Sequence, residues 1–237
     1  MIGIGTIVNS LLIVAGSALG LLFKKGIPDR FKQIIFTGSA TAVFFIGVAG
    51  VIGASFTAAR DGTLSSSYLL GLLLSLVLGG IVGELVGIDR MFDKVGAALT
   101  KKFSGSGGAE GFVTASVVFC AGAMAIVGAI NDGAMGDPSM LYTKGVIDAI
   151  TALIFTSMYG ISVMFAAVSV FVYQGVFTLL SGVIATYVPS VVIGQMGLVG
   201  SAVLMLIAFS LWDIKKFNVA NMIPAVFMPI ILSFLPL

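Results

Sequence analysis

Long apolar runs separated by short polar gaps repeat along the whole chain. They cover about Ile2–Phe23, Ile34–Phe56, Tyr68–Ile88, Phe112–Ile130, Val191–Trp212 and Val219–Leu237. Each is close to the ~20 residues with which an α-helix crosses ~30 Å of hydrocarbon. Between Leu141 and Val188 almost no charge interrupts the sequence. That stretch is too long for one crossing and right for two, with Gly160 or the Gln174–Gly175 pair as the place of reversal. The pattern predicts an all-α, polytopic transmembrane helix bundle of about eight spans, about seven being the other admissible count. Residues 89–103 read differently. Met91, Phe92, Val95, Leu99 and Phe103 recur at helical spacing against Arg90, Asp93, Lys94, Lys101 and Lys102. This predicts a short amphipathic helix near 90–103 lying in the interface, followed by a Gly/Ser hinge at 104–108.

Charge orients the threading. Ten of the twelve Lys and Arg fall in three clusters, Lys24–Lys32, Arg90–Lys102 and Lys215–Lys216, and these occupy every second gap. Arg60 and Lys144 sit in the intervening ones. The positive-inside rule produces such alternation in a bacterial inner-membrane protein. It places the three basic gaps in the cytoplasm and both termini outside. The first run lacks a basic leader and has its charges after it, so a retained helix is expected there, not a signal peptide.

Composition agrees. Of 237 residues, 59% are hydrophobic and 9% charged, with a mean hydropathy of +1.18. Soluble domains carry about 25% charged residues, so one integral membrane domain, 1–237, is expected. The net charge of +2 lies in the loops, enough to face anionic lipid headgroups and no basis for a nucleic-acid surface. One cysteine and no histidine exclude a disulfide framework and a thiol or imidazole metal site. No Walker-type loop, Gly-x-Ser-x-Gly elbow or His-Glu-x-x-His is present, so no catalytic residues and no cofactor are assigned.

The 31 glycines are first a packing signal. Gly16 and Gly20, and Gly79, Gly83 and Gly87, recur every fourth residue. Gly47, Gly50 and Gly53, and Gly194, Gly197 and Gly200, recur every third. Small residues on one face let helices approach closely. The same faces would serve a homo-oligomer. Ile34–Ala40 also resembles Val117–Ala123, which allows an internal repeat of 34–88 with 112–172.

Ionisable groups at hydrocarbon depth are the candidates for function, because each costs a few kcal/mol unless paired or hydrated. Glu84 lies near the inner end of the third run, where it can also simply reach the interface. Asp148 has Lys144 one turn earlier on the same face, an arrangement that neutralises the helix for insertion as well as lining a cavity. The stretch Asn131–Pro138 concentrates an amide, the carboxylates of Asp132 and Asp137, two glycines and a proline. It reads either as an outer turn or as backbone dipping into a cavity wall. Asn9, Gln174, Gln195, Asn218 and Asn221 suit interhelical hydrogen bonds worth about 0.6 kcal/mol each; Asn9 is mid-span beside Thr6 and Ser10. Pro224 predicts a kink in the last run.

Two segments carry a family resemblance. Gly3-Ile4-Gly5-Thr6-Ile7-Val8-Asn9 with Gly16 and Gly20, and Phe119-Cys120-Ala121-Gly122-Ala123-Met124-Ala125-Ile126-Val127-Gly128-Ala129-Ile130-Asn131-Asp132-Gly133 with Gly136-Asp137, Leu141, Lys144 and Asp148, resemble the bacterial membrane-protein family called domain of unknown function 554. Tyr173-Gln174-Gly175 and Val219-Ala220-Asn221-Met222-Ile223-Pro224 fit its pattern too. The resemblance covers essentially the whole chain. It implies a bacterial multi-pass membrane protein and adds nothing about substrate.

The residues themselves favour a transporter or channel for a small solute or ion, through a cavity lined by the 131–148 region with Glu84, Asn9 and Gln174. So few buried charges suit a small monovalent ion or amphipathic metabolite better than a large polyanion. Two alternatives stand beside it: a membrane scaffold or regulator without a substrate, and a metal-dependent enzyme acting on lipid through Asp132, Asp137 and Asp148.

Overall fold

The computed structural model describes residues 2–24, 29–58, 64–66, 68–100, 108–121 and 123–234. Apolar side chains face outward and polar ones inward. Leu179 is 83% exposed and Leu85 82%, whereas Asn9, Asp132 and Gln174 are 0% exposed. A water-soluble fold cannot present such a surface. Lipid tails can solvate it, and the polar groups must then find partners inside the bundle.

Helix α1 (Ile4–Lys24) lies along α7 (Ser139–Tyr159). The pair is parallel, since Gly5 meets Leu141, Gly16 meets Ala149 and Gly20 meets Leu153. The approach is very close: a methyl on Gly16 would come 2.1 Å from the Ala149 carbonyl oxygen. Helix α8 (Ala166–Tyr187) returns antiparallel, with Thr6 facing Thr178 and Asn9 facing Gln174. The reversal is the 3₁₀ turn Gly160–Phe165. Gly160 enters it at φ 80° and ψ −158°, backbone space that essentially only glycine occupies. Of the two expected places of reversal, Gly160 is therefore the one used, and Gln174 lies inside α8.

Helix α2 (Asp29–Ser55) packs antiparallel on α9 (Ser190–Leu211), with Gly47 and Gly50 against Ser201 and Phe44 against Phe209 and Trp212. Helix α3 (Leu69–Val86) packs antiparallel on the last segment: Gly79 meets Ala225 and Gly83 meets Asn221. That segment is a 3₁₀ helix, Val219–Phe227, continued by α10 (Met228–Leu232). Pro224 removes a backbone donor, and the tighter winding rises ~2.0 Å per residue. Its fourteen residues therefore extend about 25 Å, farther than an α-helix of that length.

Helix α4 (Ile88–Thr100) is the expected amphipathic helix; Lys101–Phe103 and most of the hinge lie outside the described residues. Helices α5 (Gly108–Ala121) and α6 (Ala123–Met135) run end to end with a bend of 59°. Here the expectation needs correcting. Asn131–Met135 is the last part of α6, and only Gly136–Pro138 forms the turn into α7.

Four helical stretches among the described residues are long and apolar enough to cross a membrane, five if the bent α5–α6 pair counts as one. Eight crossings is more than that. The excess comes from α2, whose first turns are polar, from the short Val219–Leu232, and from Ser139–Tyr187, a 49-residue apolar stretch that doubles back. A small addition to the all-α expectation is the antiparallel pair β1 (Phe56–Ala58) and β2 (Leu64–Ser66); Arg60 and Asp61 between them lie outside the described residues.

Candidate functional site: a buried polar core

The polar core lies between α1, α6, α7 and α8. Helix α1 supplies Thr6 and Asn9, which stand three residues apart and so share a face. Gln174, Thr178 and Ser181 do the same on α8. The Thr6 and Thr178 hydroxyls are 3.2 Å apart, and Asn9 Nδ2 donates to Gln174 Oε1 at 3.2 Å. Helix α6 brings Asp132, whose Oδ2 accepts the Gly5 N–H at 3.0 Å. Gly5 permits this contact: a methyl there would lie 2.9 Å from the Leu141 side chain and 3.0 Å from the carboxylate.

Helix α7 contributes an ion pair between Lys144 Nζ and Asp148 Oδ2, with side chains 6% and 9% exposed. The Asn9 amide also faces the Asp148 carboxylate. Cys120, at the C-terminal end of α5, lies within electrostatic range of both members of the pair.

The core is incompletely satisfied. Asn9 Oδ1, Ser10 Oγ, Asp132 Oδ1 and Gln174 Nε2 are buried with no hydrogen-bond partner among the described residues. A buried polar atom left alone costs about 1–3 kcal/mol, so several within one core call for an occupant such as water or an ion. The formal charge of Asp132, Asp148 and Lys144 together is one negative.

The sequence-derived candidates divide. Asp132, Lys144, Asp148, Asn9 and Gln174 come together here. Asn131 is partly buried, and its carbonyl accepts the Asp137 N–H at 3.3 Å. Asp137 is exposed on the turn, where its carboxylate accepts the Ser139 N–H at 3.0 Å. Bonds from the Ser139 hydroxyl and N–H hold that carboxyl below its ordinary range. Glu84 is elsewhere, at the opposite end of the bundle. It accepts from Asn221 Nδ2 at 2.7 Å, while Asn221 Oδ1 accepts the Asp89 N–H at 2.8 Å. Asn221 thus ties the 3₁₀ segment to both α3 and α4. Thr178 and Ser181 are not singled out by sequence pattern, although their spacing from Gln174 already places them on its face.

No cluster of three or more Asp, Glu, Cys or His suited to a metal ion occurs among the described residues. Asp132, Asp137 and Asp148 do not converge as a lipid-acting metal enzyme would need, because Asp137 points to solvent.

Comparison with known proteins returns relatives along the full length. The chain is 31% identical over 230 residues to the "Uncharacterized membrane protein YdfK" of Bacillus subtilis (strain 168), covering 97% of this chain and 95% of that protein. It is 27% identical over 237 residues to the "Uncharacterized protein YqgA" of Escherichia coli (strain K12), covering 97% and 96%. No solved structure matches. The family described as "Protein of unknown function (DUF554)" matches residues 4–234, from the first turn of α1 to beyond α10. With an outward apolar surface, a polar interior and that match, this integral membrane protein belongs to the DUF554 family.

Proposed function

We propose that the protein is a transporter or channel for a small solute or ion in the cytoplasmic membrane, and that the path runs through the polar core between α1, α6, α7 and α8. The observation that carries this reading is the set of orphaned polar atoms around an ion pair at hydrocarbon depth. Structural glue alone would leave such groups mutually satisfied. The bend between α5 and α6 supports it, since discontinuous helices are a recurrent feature of transporters.

The test is charge movement in proteoliposomes across a panel of cations, anions and small metabolites. Wild type is compared with Asp148→Asn and with Lys144→Gln/Asp148→Asn, which leaves no lone charge. Transport with Asp148 on the path predicts a wild-type signal that both folded variants lose. Equal signals in all three proteins would reduce the pair to a structural role. Silence of the wild type in both charge and tracer flux would favour a scaffold.

A further inference from the structure

Asp132 is the one charge of the polar core that the rest of the core does not answer. Its residue is 0% exposed, and among the described residues no cation pairs with it. One oxygen accepts a single backbone N–H and the other accepts nothing. That amide belongs to the first turn of α1, whose N-terminal dipole offsets part of the charge, but a single N–H leaves a fully buried carboxylate short of partners. One helical turn along α1 from the Gly5 that Asp132 touches, Asn9 is also 0% exposed and keeps its Oδ1, which faces Gly145 of α7, without a donor. Two orphaned oxygens, one of them charged, therefore belong to side chains meeting the same stretch of α1.

We propose that this place binds one dehydrated alkali-metal cation of sodium type, held by Asp132 Oδ1 and Asn9 Oδ1, and that this cation is the ion the core carries. The inference rests on the reading of the core as a transport path. Charge selects a monovalent cation. Lys144 and Asp148 cancel, Asp132 leaves one negative charge, and a divalent ion would leave the core positive. Hard oxygen donors suit alkali and alkaline-earth cations and not soft transition metals. Size excludes a metabolite: Thr6 and Thr178, Asn9 and Gln174, and Asp132 and Gly5 already lie within 3.2 Å of one another. An anion is disfavoured, since it meets the unpartnered oxygens of Asp132 and Asn9 with only one free amide donor among the described residues, Gln174 Nε2, while Lys144 is engaged by Asp148.

The test is thermal unfolding of the purified full-length protein, titrated with sodium chloride against choline chloride at fixed ionic strength. A cation that binds only the folded state raises Tm by about 5–10 °C at a hundred times its Kd. Wild type and Asp137→Asn, altered on the exposed turn, show this sodium-dependent rise, and Asp132→Asn loses it. If Asp132→Asn does not fold, Asn9→Ser serves. Removing one ligand oxygen moves the half-maximal sodium concentration upward about tenfold. A rise that survives in Asp132→Asn, or an unmoved midpoint in Asn9→Ser, overturns the assignment. So does the absence of any sodium effect in wild type. If charge movement in proteoliposomes then follows a pH gradient and disappears in Asp132→Asn, the ion is a proton, and the transport reading survives without the sodium site. A sodium-dependent Tm shift with no flux of any ion means the opposite: the cation site stands and transport falls.

Discussion

Lys144 and Asp148 are one turn apart on α7 and almost wholly withdrawn from the surface. Desolvating two charges costs several kcal/mol each, and mutual attraction repays it only while both are present. Lys144→Met alone should therefore destabilise the protein by about 3–5 kcal/mol, read as a lowered Tm and poor recovery in detergent. Lys144→Met/Asp148→Leu should regain at least half of that loss, because no buried charge is then left alone. A double variant no better than the single one would show that the Asp148 contact with the Asn9 amide matters as much as the ion pair. At this scale the sequence was informative where spacing alone sufficed. The four-residue step placed Lys144 against Asp148, and burial of charge in an apolar run marked both. Asn9, Asp132 and Gln174 were visible as polar residues in apolar surroundings. Their meeting was not visible, because it depends on α1 running parallel to α7 and antiparallel to α8, which no local pattern encodes.

Helices in this bundle touch through glycine where another helix's backbone comes against them. Methyls on Gly79 and Gly83 would fall 2.1 Å from the Ala225 Cα and 1.9 Å from the Asn221 carbonyl oxygen. Backbone cannot yield as a side chain does, so Gly83→Ala should separate α3 from the 3₁₀ segment and break the Asn221 bridge to Glu84 and Asp89. Gly53→Ala is its counterpart. Among the described residues nothing lies within 4 Å of a methyl there, and alanine is favoured over glycine in a helix by about 1 kcal/mol. Parallel unfolding measurements should show Gly83→Ala clearly less stable than wild type and Gly53→Ala equal or slightly more stable. Similar values for the two would mean that the close α3 contact contributes little. The glycine spacing thus identified contact faces on α1 and α3 correctly and overextended others. Gly53 and Gly194 meet none of the described residues, and Gly87, at φ 70°, ends α3 as its cap. Spacing shows which residues share a face, but not whether a neighbour lies on it. The last segment was legible only as a kinked run, since Pro224 signals a break that a kinked α-helix and a 3₁₀ helix share.

Taken whole, the bundle sorts its charges by end. Antiparallel pairing of α2 with α9 and of α3 with the 3₁₀ segment puts Arg30, Arg90, Lys94, Lys215 and Lys216 at the end where Gly160 turns. Ile4, the β1–β2 pair, Asp137 and the α8–α9 turn lie at the other end. The alternation of basic gaps in the sequence is thus an asymmetry of the folded molecule. The positive-inside rule predicts that the basic end faces the cytoplasm. Cys120 is the single cysteine, so in a Cys120→Ala background one introduced thiol reports its own side. A membrane-impermeant maleimide added to intact spheroplasts should label Asp137→Cys. It should leave Arg30→Cys and Lys215→Cys unlabelled until the membrane is opened. The reverse pattern would invert the orientation, and the proposed cation would then enter the core from the cytoplasmic end, because Asp132 lies nearest the Asp137 turn. Labelling at both ends in intact spheroplasts would contradict a single orientation and the reading of the basic gaps as its signal.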